Sequence, residues 1–343
     1  MTRTRRFGVC IAVALMVVAA GATGSSATVS TDSAAGAALP VAPKPSIGCR
    51  RLTAFAPGQQ KIKLKPGYYA RYIPHSYTGA TPFPLVIDLH GYLEEALFHT
   101  SNSMLGAYGD THGFVTVTPE GADRTGPPSW AVEFHSPDVR FVVHLLDVVE
   151  RKLCIDEHRV FVTGYSNGAF LASTLACVAA DRIAAIAPVS GLRDPANCHP
   201  SRPVPVVTLH GTGDRWVAFT GGLGPDAKKA SASDGTKHTL AQTSGGKSVA
   251  RGGPIPVIVA AWATRNGCGA TPTETAVASD VRLVQYPCPN GADVALYRIE
   301  GAGHTWPGSA LSSALKTLGS TTMSIDADAI MWAFFQAHPL RSG

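Results

Sequence analysis

The chain has 343 residues, of which 45% are hydrophobic, 15% charged and 8% aromatic. The charged fraction lies well below the roughly one quarter of an average globular protein, which excludes a disordered chain dominated by charge. The formal net charge is +5, but Arg3, Arg5 and Arg6 precede a long apolar run, so the sequence indicates no basic surface for nucleic acid.

The N-terminus has the pattern of an export signal. Met1 to Arg6 is basic, and Phe7 to Ala20 is a continuous apolar segment, shorter than the roughly 20 residues of a membrane-spanning helix. Small residues follow, so we predict a signal peptide over residues 1–22, with cleavage as late as residue 27. The mature protein is then secreted and has no membrane span. An uncleaved membrane anchor is the alternative interpretation.

A spacer and a single domain are predicted after the signal. Residues 23–48 are rich in Ala, Ser, Thr and Pro and have no apolar period, which is typical of a flexible spacer. Residues 49–343 have a length that suits one catalytic domain. Within it, residues 221–253 are rich in Gly, Ser and Lys and predict a long loop, which either borders the active site or is a plain surface insertion.

The cysteines support export. There are seven, and Cys10 leaves with the signal, so an even number remains in the mature chain. An even count in an exported protein favours three disulfides, and no pair has the C-x-x-C spacing of a metal site. Many pairings are open. As a hypothesis, proximity along the chain favours Cys268–Cys288 and Cys177–Cys198, which leaves Cys49–Cys154.

Short apolar segments alternate with helical patterns along the rest of the chain. This alternation predicts an α/β fold with a mostly parallel central sheet and helices on both faces. The predicted strands are an edge strand at 68–73, followed by 84–89, 113–118, 159–163, 184–188, 205–209, 281–286 and 294–299. The predicted helices begin at Ser136-Pro137 and cover 167–179, 257–265 and 325–337.

A His-Gly turn supplies a candidate oxyanion donor early in the chain. His90, Gly91 and Tyr92 follow the apolar strand 84–89. A backbone N–H of Tyr92 or Gly91 at this strand end would stabilise a developing negative charge. The His90 ring is then structural, fixing the loop through hydrogen bonds.

The sequence Gly164-Tyr165-Ser166-Asn167-Gly168 supplies a candidate nucleophile. It lies directly between a predicted strand and a predicted helix, the position of a serine on a strained turn in hydrolases with this motif. The N–H of Asn167, at the helix N-terminus, would be the other oxyanion donor. The alternative is a glycine-rich turn with an idle serine.

Asp214 and His304 complete a candidate catalytic triad. Each follows a predicted strand, at the sheet edge where open α/β proteins place their sites. The chain order Ser166, Asp214, His304 is that of an α/β-hydrolase. His304 would move the Ser166 proton and Asp214 would orient the imidazole. The alternatives are an ordinary loop histidine and a turn-forming aspartate, with Asp194 as a rival acid.

Five motifs together resemble one known family. They are Arg159–Gly168, Ala187–Gly191, His210–Asp214, Gly303–Gly308 and Ile330–Phe335. They are similar to those of the secreted polyhydroxybutyrate depolymerase and feruloyl esterase group of α/β-hydrolases, over roughly Lys61 to His338.

The resemblance implies a serine esterase whose triad is Ser166, Asp214 and His304. It also implies a Cys268–Cys288 bridge near the histidine loop, and Trp306 with Tyr165 beside the acyl or alcohol pocket.

The chain departs from the family pattern at one place. Tyr92, Leu93 and Glu94 stand where the family often has Cys or Gly with a Gln. Polymer-degrading members commonly carry a further binding domain after the catalytic one, and this chain stops at the helix that contains Phe334 and Phe335. We therefore expect soluble esters or short oligomers rather than a solid polyester.

The predicted function is that of a secreted serine carboxylic ester hydrolase that acts on hydroxybutyrate oligomers or polyester, or on feruloyl-type esters. No cofactor, metal or nucleic acid is expected, and the sequence makes no prediction about oligomeric state. The alternatives are an acyltransferase of the same fold, which would pass the acyl group to an alcohol, and a catalytically silent cell-surface binding protein.

Overall fold

The apolar segments predicted as strands form the centre of one sheet. The computed structural model describes residues 41–53, 55–122, 127–229, 252–289 and 291–341. Its strands are β1 (Gly58–Leu64), β2 (Gly67–Ile73), β3 (Phe83–Leu89), β4 (Val115–Pro119), β5 (Ile155–Tyr165), β6 (Ala185–Val189), β7 (Val206–Gly211), β8 (Thr273–Ala278), β9 (Val281–Gln285) and β10 (Val294–Ile299). Its α-helices are α1 (Ala96–Ser103), α2 (Leu105–His112), α3 (Pro137–Lys152), α4 (Asn167–Val178), α5 (Pro225–Lys229), α6 (Ile255–Arg265), α7 (Ala310–Ala314) and α8 (Ala327–Ala337).

The ten-stranded sheet has the order β1-β2-β4-β3-β5-β6-β7-β10-β9-β8. The strands from β4 to β10 in this order pair in parallel, whereas β1, β2, β9 and β8 extend the two sides in antiparallel pairing. The predicted α/β fold with a mostly parallel sheet is confirmed.

Residues 68–73 are not at the edge of the sheet, so that prediction is wrong. β1 pairs along the outer side of β2, from Gly58 opposite Ile73 to Leu64 opposite Gly67. The residues of β1 alternate between half-buried and exposed, and few of them are apolar. The strand therefore lacks the apolar run by which the others were predicted.

Helices cover both faces of the sheet because neighbouring strand residues point to opposite sides. On β3, Leu85 and Ile87 belong to a core that also contains α3, α4 and α6 side chains. Val86, between them, belongs to a second core that contains α8 side chains such as Phe335. The strand centre is buried on both sides, which explains its continuous apolar sequence.

The folded body begins before the boundary predicted at Cys49. The compact unit that contains the sheet starts at Val41. The Ser46 hydroxyl donates to the Leu153 carbonyl (2.8 Å) and accepts from the Ile155 N–H (3.0 Å). Gly48 packs so closely on Leu153 that a Cβ there would lie 2.1 Å from its carbonyl oxygen. The end of the predicted spacer is thus part of the domain, because it completes hydrogen bonds at the start of β5.

Three disulfides join the described body. They link Cys49 to Cys154, Cys177 to Cys198 and Cys268 to Cys288. The last two are the pairs that proximity along the chain favoured, and the first is the pair that this choice left. Among the described residues, no helix combines the length and the apolar character that crossing a membrane requires.

Two sequence predictions concern residues that the structure does not describe, wholly or in part. The predicted signal peptide at 1–22 lies outside the described residues. So does the predicted loop between residues 230 and 251, although its beginning contains α5 and its end leads into α6.

Candidate active site

Ser166 lies on a sharp turn between β5 and α4. Its backbone has φ 55° and ψ −113°, in a region that non-glycine residues rarely occupy. Gly168 allows this turn to approach β3, since a Cβ there would lie 2.1 Å from the Leu89 carbonyl oxygen. The Ser166 N–H donates to the Val189 carbonyl (2.9 Å), which ties the turn to the neighbouring β6. The predicted strand, serine turn and helix are all present.

Asp214 and His304 meet because their strands are parallel neighbours. Gly211 at the end of β7 lies opposite Ile299 at the end of β10. The loops that follow bring the His304 Nδ1 to 2.7 Å from the Asp214 Oδ2. Both side chains are buried. The structure thus pairs two residues that are distant in sequence, as the prediction required.

The Asp214 carboxylate is held on both oxygens. Its Oδ1 accepts the N–H groups of Trp216 (2.8 Å) and Val217 (2.9 Å), and its Oδ2 also lies 3.3 Å from the His210 Nε2. Burial alone would raise the pKa of Asp214, but the adjacent His304 and His210 hold this pKa well below its usual value. The carboxylate is therefore ionised and fixed in orientation.

His304 and Ser166 line the same cavity of about 240 Å³. The imidazole lies near two aromatic rings, with its centroid 4.9 Å from that of Tyr165 and 6.0 Å from that of Trp216. The Tyr165 hydroxyl donates to the His304 carbonyl, and the His304 N–H donates to the Leu318 carbonyl (2.7 Å). Side chain and backbone of the histidine are both fixed beside the cavity.

Gly91 does not offer its N–H to the cavity, which corrects one of the two donors predicted for this loop. The Gly91 N–H donates to the Glu94 Oε2 at 2.6 Å. Tyr92, the other predicted donor residue, lines the cavity together with Ser166. The Glu94 carboxylate takes the Gly91 N–H, so Tyr92 is the predicted donor that remains for this loop.

The Asn167 side chain and the His90 loop are joined through Trp130. The Trp130 N–H donates to the Asn167 Oδ1 (2.6 Å), and the Trp130 indole N–H donates to the His90 carbonyl (2.8 Å). The His90 Nδ1 lies 2.8 Å from the Gly91 carbonyl, and its Nε2 accepts the Gly121 N–H (3.3 Å). His90 is a structural residue of the loop, as its predicted role required.

Of the two predicted substrate contacts, only Tyr165 lines the cavity. Trp306 is fully buried, its indole N–H donates to the Asp328 Oδ1 (3.1 Å), and its ring lies 5.6 Å from that of His99. The prediction for Trp306 is wrong because the indole packs into the core beneath α8 instead of turning to the cavity.

Asp194, the rival acid, has another partner. Its carboxylate forms an ion pair with Arg265 at 2.5 Å. It lies instead beside a different cavity, together with Phe170 and Ile258.

Most residues of the cavity wall were not predicted from the sequence. The walls include Leu93, Phe98, Asn102, Trp216, Leu315, Thr317 and Leu318. Trp216 follows the predicted acid by two residues, and this spacing is the one signal that pointed to it. Leu315 and Leu318 follow a short helix with no motif of its own.

The described part of the chain holds no group of three or more His, Cys, Asp or Glu side chains arranged for a metal ion.

Sequence comparison finds feruloyl esterases that are similar to this chain. Feruloyl esterase B of Piromyces equi is 27% identical over 244 residues, covering 67% of this chain and 41% of that protein. Feruloyl esterase D of Neurospora crassa is 28% identical over 193 residues, covering 52% of this chain and 65% of that protein. The predicted resemblance to feruloyl esterases is confirmed. This chain spans less than two thirds of the length of either relative, and the polyhydroxybutyrate depolymerase resemblance stays a prediction.

Structural comparison agrees on the fold. The acetyl xylan esterase of Aspergillus awamori superposes with a TM-score of 0.53 at 15% identity, covering 82% of this chain and all of that one. The protein therefore has the α/β-hydrolase fold. No family model matches the chain.

Proposed function

We propose that the protein is a secreted serine carboxylic ester hydrolase that acts on feruloyl-type esters through an acyl-enzyme on Ser166. One observation carries the proposal. The strained Ser166 turn and His304 open onto one cavity, and the His304 Nδ1 is bound to a buried, ionised Asp214 at 2.7 Å. A hydroxyl, an imidazole and an orienting carboxylate are the parts that acyl transfer needs.

Each proton in the proposed reaction has an assigned carrier. The Ser166 Oγ attacks the ester carbonyl carbon while its proton passes to the His304 Nε2. The carbonyl oxygen becomes an oxyanion, the bond to the alcohol oxygen breaks, and His304 returns the proton to the departing alcohol. Water then repeats the sequence on the acyl-enzyme and releases the acid and free Ser166.

Two backbone N–H groups are assigned to the oxyanion. Asn167 begins α4, so its N–H lies at the positive end of the helix dipole beside Ser166. Tyr92 lines the cavity together with Ser166. Removing one such donor lowers kcat by about 10²-fold to 10³-fold in a serine hydrolase, so both are needed for full activity.

The cavity walls favour an apolar acyl group. Phe98, Leu93 and Trp216 line it, and the first two are 45% and 37% exposed. A flat aromatic acid such as ferulate is matched to such walls, because aromatic rings stack on one another and on apolar surface. The feruloyl esterases among the relatives support the same substrate class.

Export is supported by two features. The basic and apolar N-terminus has the composition of a signal peptide. Three disulfides in the body are typical of proteins that fold in an oxidising compartment.

A substrate panel tests the proposal. Wild-type protein and the Ser166→Ala variant are assayed on methyl ferulate, p-nitrophenyl acetate and a soluble hydroxybutyrate trimer. We expect hydrolysis by the wild type, with the highest kcat/KM on methyl ferulate, and none by Ser166→Ala. Equal hydrolysis by both proteins would overturn the role of Ser166, and a preference for the trimer would overturn the feruloyl assignment.

A further inference from the structure

A buried acidic side chain holds the loop that carries Tyr92. The Glu94 Oε2 accepts the Gly91 N–H at 2.6 Å and lies 3.0 Å from the His99 Nδ1. The Glu94 Oε1 lies 3.5 Å from the Asn102 Nδ2. The carboxylate thus joins the loop to α1.

His99 is held in turn by a second carboxylate. Its Nε2 lies 2.8 Å from the Asp88 Oδ1 at the end of β3, and the Asp88 Oδ2 accepts the Ser103 hydroxyl at 2.7 Å. His99 is fully buried, and a carboxylate oxygen lies near each ring nitrogen. The Nε2 contact has hydrogen-bond geometry, whereas the Nδ1 contact is an ion-pair distance. The imidazolium is the ring state whose charge is opposite to that of both carboxylates.

The charges around His99 favour the same state. Burial alone would lower the pKa of His99, but Asp88 and Glu94 raise it to about 10. The other titratable groups near the ring are Tyr165, His90 and, behind Trp306, Asp328. Burial raises the pKa values of Tyr165 and Asp328 well above their usual values, and burial lowers that of His90. The carboxylates within 3.0 Å of the His99 ring are those of Asp88 and Glu94.

We propose that Glu94, anchored by the buried His99–Asp88 pair, is a positioning residue that fixes the Gly91 peptide and so sets the Tyr92 N–H beside Ser166. The inference rests on the proposed function, because it assigns a role in oxyanion stabilisation. Gly91 packs tightly here: a Cβ would lie 2.9 Å from the Tyr165 Cδ1 and 3.1 Å from the Glu94 Oε2. Without Glu94, the Gly91 N–H would need another acceptor, and the loop would rotate and move the Tyr92 N–H with it.

Two substitutions at Glu94 separate its oxygen from its charge. Glu94→Ala removes the acceptor, whereas Glu94→Gln keeps an oxygen for the Gly91 N–H and removes the negative charge. Asp156→Asn is the matched control, since Asp156 is also a buried carboxylate that accepts backbone N–H groups, from Lys44 (2.8 Å) and His158 (3.0 Å). It lies at the end of β5 opposite Ser166.

The kinetic result distinguishes positioning from general stability. We expect Glu94→Ala to lower kcat on p-nitrophenyl acetate by about 100-fold with little change in KM, the size of effect that a small misplacement in an active site produces. Glu94→Gln restores most of kcat at pH 7. We expect the activity of Glu94→Gln to fall at a lower alkaline pH than that of the wild type. His99 then lies beside one carboxylate instead of two, so it loses its proton at a lower pH. Asp156→Asn leaves kcat unchanged.

Amide hydrogen exchange tests the clamp without activity. In the wild type, the peptide segment that contains Gly91 and Tyr92 exchanges slowly. In Glu94→Ala it exchanges faster while the segment around Ser166 stays as in the wild type. If Glu94→Ala does not fold, Glu94→Gln carries the test, with a smaller increase in exchange and the shifted pH profile.

The outcomes separate the two proposals. If the wild type hydrolyses no ester but Glu94→Ala still loosens the Gly91 segment, the clamp stands and the esterase function fails. If the wild type is active and both Glu94 variants keep wild-type kcat, pH profile and exchange, the clamp is overturned. An equal fall of kcat in Asp156→Asn would also overturn it, because stability alone would then explain the loss.

Discussion

Two buried histidines lie against the same tyrosine ring and differ in their carboxylate partners. The centroid of Tyr165 is 4.9 Å from that of His304 and 6.4 Å from that of His99. His304 binds one carboxylate, Asp214, and lines the cavity that contains Ser166. His99 lies between two carboxylates, Asp88 and Glu94, with no exposed surface.

The difference shows how one residue type serves two purposes. A histidine with one carboxylate on Nδ1 has its Nε2 left to exchange a proton with a neighbouring hydroxyl. A histidine with a carboxylate on each nitrogen keeps both protons and acts as a fixed cation that orders its surroundings. The number of carboxylates and the access to the cavity therefore separate the proposed base from the proposed anchor.

The largest effect is expected at the proposed base. His304→Ala removes the group that takes the Ser166 proton, and we expect kcat to fall by about 10⁶-fold, as for the histidine of other serine hydrolases. Steady-state kinetics on p-nitrophenyl acetate measures it. His144→Ala, an exposed histidine on α3, is the matched control and keeps wild-type kcat. A kcat of His304→Ala within tenfold of the wild-type value would show that His304 is not the base.

A smaller loss is expected at the carboxylate of that histidine. Asp214→Asn keeps an acceptor for the Trp216 and Val217 N–H groups but no longer selects the productive imidazole tautomer, so kcat falls by about 10⁴-fold. Asp194→Asn is measured beside it and is expected to have wild-type kcat, because Asp194 pairs with Arg265. Equal losses in the two variants would contradict the assignment of the acid.

The smallest effect is on stability and concerns the proposed anchor. The pKa of His99 is raised from 6.5 to about 10 in the folded protein, so its stabilisation is complete below pH 6.5 and is lost as pH rises towards 10. Between these pH values, the free energy of unfolding falls by up to about 1.4 kcal/mol for each unit by which the pH rises, because only the folded state holds this proton. Urea unfolding at several pH values measures the slope. His99→Gln flattens it, and an unchanged slope in that variant would mean that His99 is not the group responsible.

The sequence indicated the three candidate triad residues because each chemical group follows a recognisable strand. The carboxyl ends of parallel strands meet at one edge of the sheet, so Ser166, Asp214 and His304 could be brought together from strand order alone. The strands at the two outer sides, β1 and β8, were missed. β1 carries few apolar residues, and most of β8 is exposed, so neither has an apolar run.

The errors within the site share a physical cause. Whether the Gly91 N–H faces the cavity depends on the Glu94 carboxylate, and the direction of the Trp306 indole depends on Asp328. These are choices among nearby hydrogen-bond partners that only tertiary packing decides. Motifs indicate which residue types are present near the site, and they do not indicate which partner a buried donor takes.

Covalent labelling of Ser166 tests whether it is the nucleophile. The wild-type protein and the His304→Ala variant are treated with a fluorophosphonate, and the modified residue is located by peptide mass spectrometry. We predict one phosphonyl adduct on Ser166 in the wild type and a much slower reaction in His304→Ala. Absence of the adduct from folded wild-type protein, or a mark on another residue, would contradict it.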